Sequence, residues 1–156
     1  MKQIFDKNLF ILLLIFLAAT VSVSGQRRPK DRILDRKVFT ITMELQSTKK
    51  KKKKAPEPIE SELSFRSNKI GDTYMRHPDN WGFQKGEYAI YEKEEVLDEV
   101  RYKFEGINKN SKGMSLKWKG SVFGGQIEGS ATVSKKGKVK AEYTFIGALK
   151  EKRKRK

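Results

Sequence analysis

The sequence predicts an all-β fold, a single antiparallel up-and-down barrel of roughly eight strands, after an N-terminal signal peptide. Three observations lead to this prediction. Apolar residues recur at every second position over most of the chain, which is typical of strands with one buried face. Glycine-containing pairs and polar clusters separate these runs at short intervals. No stretch after residue 25 keeps the i, i+3, i+4, i+7 pattern of an amphipathic helix over three turns.

The first 25 residues have the order of a signal peptide. Lys2 and Lys7 form a basic start, residues 9–19 are almost purely aliphatic and aromatic, and small polar residues follow. This core of about 11 residues is shorter than the roughly 20 that a membrane-spanning helix needs. We therefore expect cleavage near Ser24 or Gly25 and an exported protein, either periplasmic or secreted.

Alternation identifies the strands of the first half. From 39 to 45, apolar side chains alternate with Thr40, Thr42 and Glu44, and the same pattern returns from 59 to 66. A turn at Ser67-Asn68 leads to a short return strand through Ile70. Two further strands are predicted around 88–90 and 100–105. Loops are predicted at Pro56–Pro58, Asn80–Gly82 and Asn108–Gly113.

The last third is the most regular part of the chain. Strands are predicted at 114–122, 127–133 and 139–149. Gly124-Gly125 and Lys136-Gly137 are predicted two-residue turns, because glycine accepts positive φ. Consecutive hairpins favour a meander, and a meander of about eight strands closes into a barrel without exposed edges. A two-sheet sandwich is the alternative.

Three glycines, Gly120, Gly129 and Gly147, fall on the inward face of neighbouring predicted strands. Glycine weakens a strand unless curvature or close approach requires it. One interpretation places these residues at the corners of a small, strongly coiled barrel. The other is that they leave room for a ligand inside.

The positive charge is confined to three short segments. The chain carries +16, and removal of residues 1–25 takes away two lysines and one aspartate, which leaves +15. Residues 27–37, 49–54 and 150–156 hold all of this excess, so the remaining body is neutral. Two interpretations stay open: the segments keep the protein soluble, or they tether it to an anionic surface such as lipid head groups, lipopolysaccharide or a polyanion. The residues proposed for surface contact are Lys49, Lys50, Lys51, Lys52, Lys53, Lys54, Lys152, Arg153, Lys154, Arg155 and Lys156.

This placement argues against sequence-specific nucleic-acid binding. A nucleic-acid-binding fold usually sets Lys and Arg on one face of its strands or helices, interleaved with aromatic residues. Here the basic residues lie in a leading arm, one loop and a tail.

Few residues point to catalysis or to metal binding. There are no cysteines and one histidine, His77, which lies close to Asp79. No nucleophile elbow, zinc-binding motif or glycine-rich phosphate loop accompanies this histidine. The acidic cluster from Glu92 to Glu99 lacks the glycine and the alternating ligands of a calcium loop, so we interpret it as a solvated hairpin end. We expect neither an enzyme nor a cofactor.

A resemblance is visible in the C-terminal block LKWKGSVFGGQIEGSATVSKKGKVKAEYTFIGALK, with ELSFRSNKI and WGF upstream. Its W-x-G-x-V…I-x-G…Y-x-F-x-G-x-L pattern resembles small exported bacterial proteins of unknown function over roughly residues 60–150. The resemblance implies a calycin-like barrel, similar in architecture to lipocalins, although the G-x-W of lipocalins is missing near the first strand. It implies no catalytic residue.

The predicted organisation is a signal peptide (1–25), a basic flexible arm (26–37), a barrel (38–149) with a lysine-rich loop (49–54), and a basic tail (150–156). The first hypothesis for function is a non-enzymatic binding module that holds a small apolar ligand. Its site is predicted to comprise Phe39, Trp81, Phe83, Tyr88, Tyr102, Trp118 and Tyr143. The loop of Trp81 and Phe83 then acts as a lid, or the same residues plug the barrel end. The second hypothesis is a filled structural or adhesion module that docks on anionic surfaces. The sequence leaves the oligomeric state open.

Overall fold

The computed structural model describes residues 32–47 and 56–151, which form one antiparallel sheet of eight strands that closes on itself. The elements are β1 (Val38–Ser47), β2 (Ile59–Arg66), β3 (Lys69–Asp72), α1 (Thr73–Arg76), β4 (Gly86–Val96), β5 (Glu99–Lys109), β6 (Met114–Phe123), β7 (Gln126–Lys135) and β8 (Lys138–Leu149). Each strand pairs with the next, and β8 pairs with β1. The prediction of an all-β fold with about eight antiparallel strands is confirmed.

Several predicted segments lie outside the described residues. They are the signal peptide at 1–25, residues 26–31 of the basic arm, the lysine run Lys49–Lys54 and the tail residues Lys152–Lys156.

Two-residue turns of positive φ join four of the hairpins. The turns predicted at Ser67-Asn68, Gly124-Gly125 and Lys136-Gly137 are confirmed, with φ between 49° and 78°. A fourth such turn, Leu97-Asp98, has φ of 49° and 66°. The sequence did not predict it, because leucine rarely adopts positive φ.

The loop predicted at Asn108–Gly113 is wrong at its first two residues. Strand β5 continues through Lys109, and Asn108 is buried within it. Asparagine is common in turns, which accounts for the prediction of a loop here. In the structure, the side chain of Asn108 instead makes hydrogen bonds inside the barrel.

The barrel has two rims, which the strand directions define. Val38 and Leu149 lie at the chain-end rim, where β1 begins and β8 ends. Ser47 and Ile59 lie at the opposite rim, called here the loop rim, together with the segment 73–85 that follows β3. Leu34 is buried in the core although it precedes β1, and Lys37 N–H donates to its carbonyl at 3.0 Å.

The inward-facing glycines lie against backbone and aromatic rings. A Cβ added to Gly129 would lie 2.3 Å from the Lys119 carbonyl oxygen and 2.8 Å from the Phe145 ring. A Cβ on Gly120 would lie 3.0 Å from the Phe104 ring, and one on Gly147 would lie 2.1 Å from a backbone oxygen of β1. These glycines permit close approach of neighbouring strands, so the curvature interpretation is favoured over room for a ligand.

We expect Gly129→Ala to lower the free energy of unfolding by about 3 kcal/mol, because the added methyl group has neither space nor a flexible neighbour. The control is Gly113→Ala, whose Cβ meets nothing within 4 Å. That variant keeps only the cost of alanine at a φ of 70°, about 1 kcal/mol. Urea unfolding compares the two. Equal losses would contradict the close-approach interpretation.

Candidate functional site

The seven aromatic residues predicted to line a ligand site lie in the barrel interior and at the loop rim. Phe39, Phe83, Tyr88, Trp118 and Tyr143 are buried, and Trp81 and Tyr102 are half-buried. The structure therefore places most of them in one interior, as the alternation predicted.

Their rings pack against one another and against further phenylalanines. The Phe65 ring meets Phe39, Tyr88 and Phe104 edge to face, with centroids 5.9, 4.9 and 5.2 Å apart. Trp118, which is fully buried, meets Phe145 at 5.5 Å. Edge-to-face pairs at these distances are the favoured packing of aromatic side chains. The predicted lining residues thus occupy the interior themselves.

The segment between α1 and β4 covers the loop rim. Phe83 is buried, and its N–H donates to the Met75 carbonyl at 3.0 Å. Trp81 stacks on Phe83, and its indole N–H donates to the Tyr143 hydroxyl at 3.2 Å. Burial raises the pKa of the Tyr143 phenol, so the phenol is neutral at pH 7. Of the two interpretations, lid and plug, these contacts favour the plug.

Asn108 was not predicted as an important residue, and its amide joins three strands and a loop. Nδ2 donates to the Ile70 carbonyl at 2.9 Å and to the Gln84 carbonyl at 2.7 Å. Oδ1 accepts from the Trp118 indole N–H at 2.9 Å. The amide thus satisfies both donors and one acceptor in a buried place. Only its location in an alternating run, at an inward position, could have shown its role from sequence.

The described outer wall is concave where inward glycines lie beneath it. A hollow of about 660 Å³ over β3, β4 and β5 includes Gly86 and Gly106. A second of about 580 Å³ includes Gly147, and a third of about 410 Å³ includes Gly120 and Gly129. At an inward glycine the strand backbone can approach the core more closely, because no side chain lies between them. These glycines therefore leave space on the outside of the barrel.

The whole acidic cluster from Glu92 to Glu99 belongs to the β4–β5 hairpin. Glu92 Oε1 lies 2.8 Å from Lys103 Nζ, and Glu94 Oε2 lies 3.5 Å from Arg101 Nη1. The hydrogen bond that Lys103 donates to Glu92 raises the pKa of Lys103. Leu97, at the tip, is almost fully exposed. Within residues 32–47 and 56–151, no group of three or more His, Cys, Asp or Glu side chains is arranged to hold a metal ion.

His77 is exposed near the loop rim. Its Nδ1 lies 3.6 Å from Asp79 Oδ2 and accepts from the Asp79 N–H at 3.3 Å. The Asp79 carboxylate is itself exposed to solvent, and no nucleophilic side chain is among the partners found for His77.

The buried carboxylate is Asp72, at the end of β3. It is 1% exposed, and its Oδ1 accepts from the Met75 N–H at 2.9 Å as the N-cap of α1. Oδ2 is buried without a hydrogen-bond partner among the described residues. Burial raises the pKa of this carboxyl, and hydrogen bonds from Ser61 and Met75 partly offset the rise.

Comparisons with known proteins found no matching family model, no similar curated protein and no similar solved structure. In the part of the chain that the structure describes, no helix has the length and apolarity to span a bilayer.

We expect Asn108→Ala to lower the free energy of unfolding by about 3 kcal/mol, because two carbonyls and one indole N–H lose their partner in a buried place. Asn80→Ala is the control, since the exposed Asn80 amide donates only to the Tyr74 carbonyl, and about 0.5 kcal/mol is expected. Chemical unfolding followed by tryptophan fluorescence measures both. A small loss for Asn108→Ala would contradict the role assigned to this amide.

The raised pKa of Asp72 predicts a pH dependence of stability. The folded state holds the proton more tightly than the unfolded state, so this group stabilises most below its unfolded pKa and progressively less as pH rises through its folded pKa. We expect Asp72→Asn, which keeps the N-cap acceptor, to gain stability relative to the parent as pH rises from 4 to 7. Urea midpoints across this range test it, with exposed Asp98→Asn as control. A constant difference between parent and Asp72→Asn would contradict the assignment.

Proposed function

We propose that this protein is an exported, non-enzymatic module of calycin-like architecture, and that its filled barrel docks on anionic surfaces through the basic arm, loop and tail. An up-and-down ring of eight antiparallel strands is the architecture that lipocalin-like barrels use. The order of residues in 1–25 supports export.

The observation that carries this proposal is the pairing of β1 with β8 at the chain-end rim. Phe39 lies opposite Leu149, and the Lys150 N–H donates to the Val38 carbonyl at 2.8 Å. The arm (26–37) and the tail (150–156) therefore join the barrel side by side. Together they contain twelve basic and three acidic residues. Charges gathered at one place attract an anionic surface more strongly than the same charges spread over the wall.

The lysine run is connected to the barrel at the other rim. It follows Ser47 at the end of β1 and precedes β2. Its six lysines therefore attach to strand ends opposite to those that carry the arm and the tail.

The packed interior supports docking over the carrying of a small apolar ligand. The rings that would line the ligand site contact one another, and Phe39, Phe104 and Trp118 are fully buried. A ligand inside would have to separate them, at the cost of the contacts that they now make.

We expect the exported protein to bind vesicles that contain phosphatidylglycerol, and to bind phosphatidylcholine vesicles at least tenfold more weakly. Binding should fall steeply between 50 and 300 mM salt, because exposed charges are screened over a Debye length of about 8 Å at physiological ionic strength. Vesicle co-sedimentation measures both. Neutralising all five tail residues, 152–156, to Gln should reduce binding at least tenfold.

The matched control neutralises five basic residues away from the chain-end rim, as Lys117, Lys119, Lys135, Lys138 and Lys140 to Gln. Because these side chains are exposed and away from the chain-end rim, binding should change less than threefold. An equal loss in both variants would point to net charge alone and contradict docking through the tail. Binding that ignores salt would contradict the proposal as a whole.

A further inference from the structure

The outer hollow over β3, β4 and β5 brings together three lysines from separate segments. Lys69 begins β3, Lys85 precedes β4 and Lys109 ends β5, and all three line the same volume of about 660 Å³. The ion pairs found among residues 32–47 and 56–151 include none of the three. Ammonium groups that line one concave surface without an ion-pair partner favour an anion.

The hydrogen bonds of the Asn108 side-chain amide hold the backbone segments that carry these lysines. The amide bonds to the carbonyls of Ile70 and Gln84, which directly adjoin Lys69 and Lys85 in the chain. Asn108 itself precedes Lys109, and the Lys109 carbonyl accepts from the Gln84 N–H at 2.9 Å. Because successive strand residues face opposite sides, one buried amide inside the barrel positions three lysines on its outside. Asn108 is thus a positioning residue for the hollow.

Gly71 allows the side chain of Lys85 to pack against the backbone of β3. A Cβ at this position would lie 2.8 Å from Lys85 Cγ and 3.2 Å from Arg76 Cδ. The stems of Lys85 and Arg76 therefore cross the backbone of β3 at a place where a larger residue would displace them. Arg76 is likewise in none of the ion pairs found in the described part of the chain.

The other residues that line the hollow indicate which further chemical groups a ligand would carry. Glu87 and Glu105 lie in the same hollow, and Glu105 Oε2 is 3.9 Å from Lys117 Nζ. Carboxylates accept hydrogen bonds from hydroxyl groups. Ile107 lines the hollow as well and is 51% exposed, which provides an apolar contact beside the charges.

We propose that this hollow binds a phosphate ester that carries hydroxyl groups, with the phosphate at Lys69, Lys85 and Lys109 and the hydroxyls at the glutamates. A phosphate group offers up to two negative charges and three strong acceptor oxygens, which suits three separate ammonium donors. The same chemistry occurs in a soluble polyol phosphate and in a glycerophospholipid head group. The residues that carry this proposal lie outside the basic arm, loop and tail in the sequence, so it goes beyond the docking proposed above.

The test uses sn-glycerol 3-phosphate and amide chemical-shift titration of the exported protein, with glycerol as the uncharged reference. We expect saturable shifts at Lys85, Gly86, Ile107 and Lys109, with a dissociation constant of about 1 mM or below. Lys85→Gln/Lys109→Gln should weaken binding at least tenfold. Lys138→Gln/Lys140→Gln, which removes the same charge from the outer face of β8, should leave it within twofold.

Gly71→Ala keeps every lysine and should still weaken binding at least threefold, because it displaces the Lys85 stem. Retained amide shifts elsewhere in the barrel show that each variant is folded. Shifts that do not saturate, or equal losses in the two double-lysine variants, would overturn the proposal.

Two further measurements complete the test. One distinguishes a lipid head group from a soluble phosphate ester, and the other distinguishes binding in the hollow from docking through the tail. Short-chain phosphatidylglycerol that binds at least tenfold more tightly than glycerol 3-phosphate identifies a lipid head group, and equal affinity identifies a soluble ester. The variant with a neutralised tail should bind glycerol 3-phosphate unchanged even where it no longer binds vesicles. Parallel loss of both activities would assign the phosphate to the tail and overturn the site in the hollow.

Discussion

Closure of this barrel depends on the short pairing between β3 and β4, and the hydrogen bonds of the Asn108 amide reinforce this pairing. Strand β3 has only four residues, and it pairs with β4 through two residue pairs, whereas β4 and β5 pair over nine. Where the β3–β4 ladder is missing, a side chain of β5 donates to a carbonyl on each side of the gap and accepts from Trp118 on β6. An aspartate has no donors for the two carbonyls, and a leucine has neither donor nor acceptor. A fully satisfied buried amide is therefore the group that lets a short strand complete the ring.

The inward glycines decide which side of the sheet is concave. In a barrel with a ligand cavity, small inward residues leave room inside. Here the Phe104 and Phe145 rings lie directly over Gly120 and Gly129, so the interior is filled where the side chains are smallest. The sheet approaches these rings closely, and the resulting hollows open on the outer wall. The described barrel therefore offers concave surface on its exterior, beside its charged residues, and not in its interior.

Much of the fold could be predicted, because alternation and turn chemistry are local properties of the chain. Gly124-Gly125 marks its hairpin because both residues accept positive φ, whereas Leu97-Asp98 makes the same turn without any such signal. Asn108 was missed for a similar reason: a buried amide that reinforces this short pairing has partners 38 and 24 residues away in sequence. Alternation identified the aromatic residues of the strands as inward-facing, whereas Trp81 and Phe83 lie in a segment without alternation. It could not show that their rings fill the interior, since that depends on how eight strands coil together.

The strand directions of the ring fix where each basic segment joins the barrel. The chain enters β1 and leaves β8 at the chain-end rim, and it leaves β1 and enters β2 at the loop rim. Strand β1 has ten residues, which at about 3.3 Å per residue and a tilt of about 40° place the rims about 25 Å apart. This distance is about three Debye lengths at physiological ionic strength, and charges that far apart are screened from one another. The proposed docking therefore treats the segments attached at the two rims as separate contributions to the attraction.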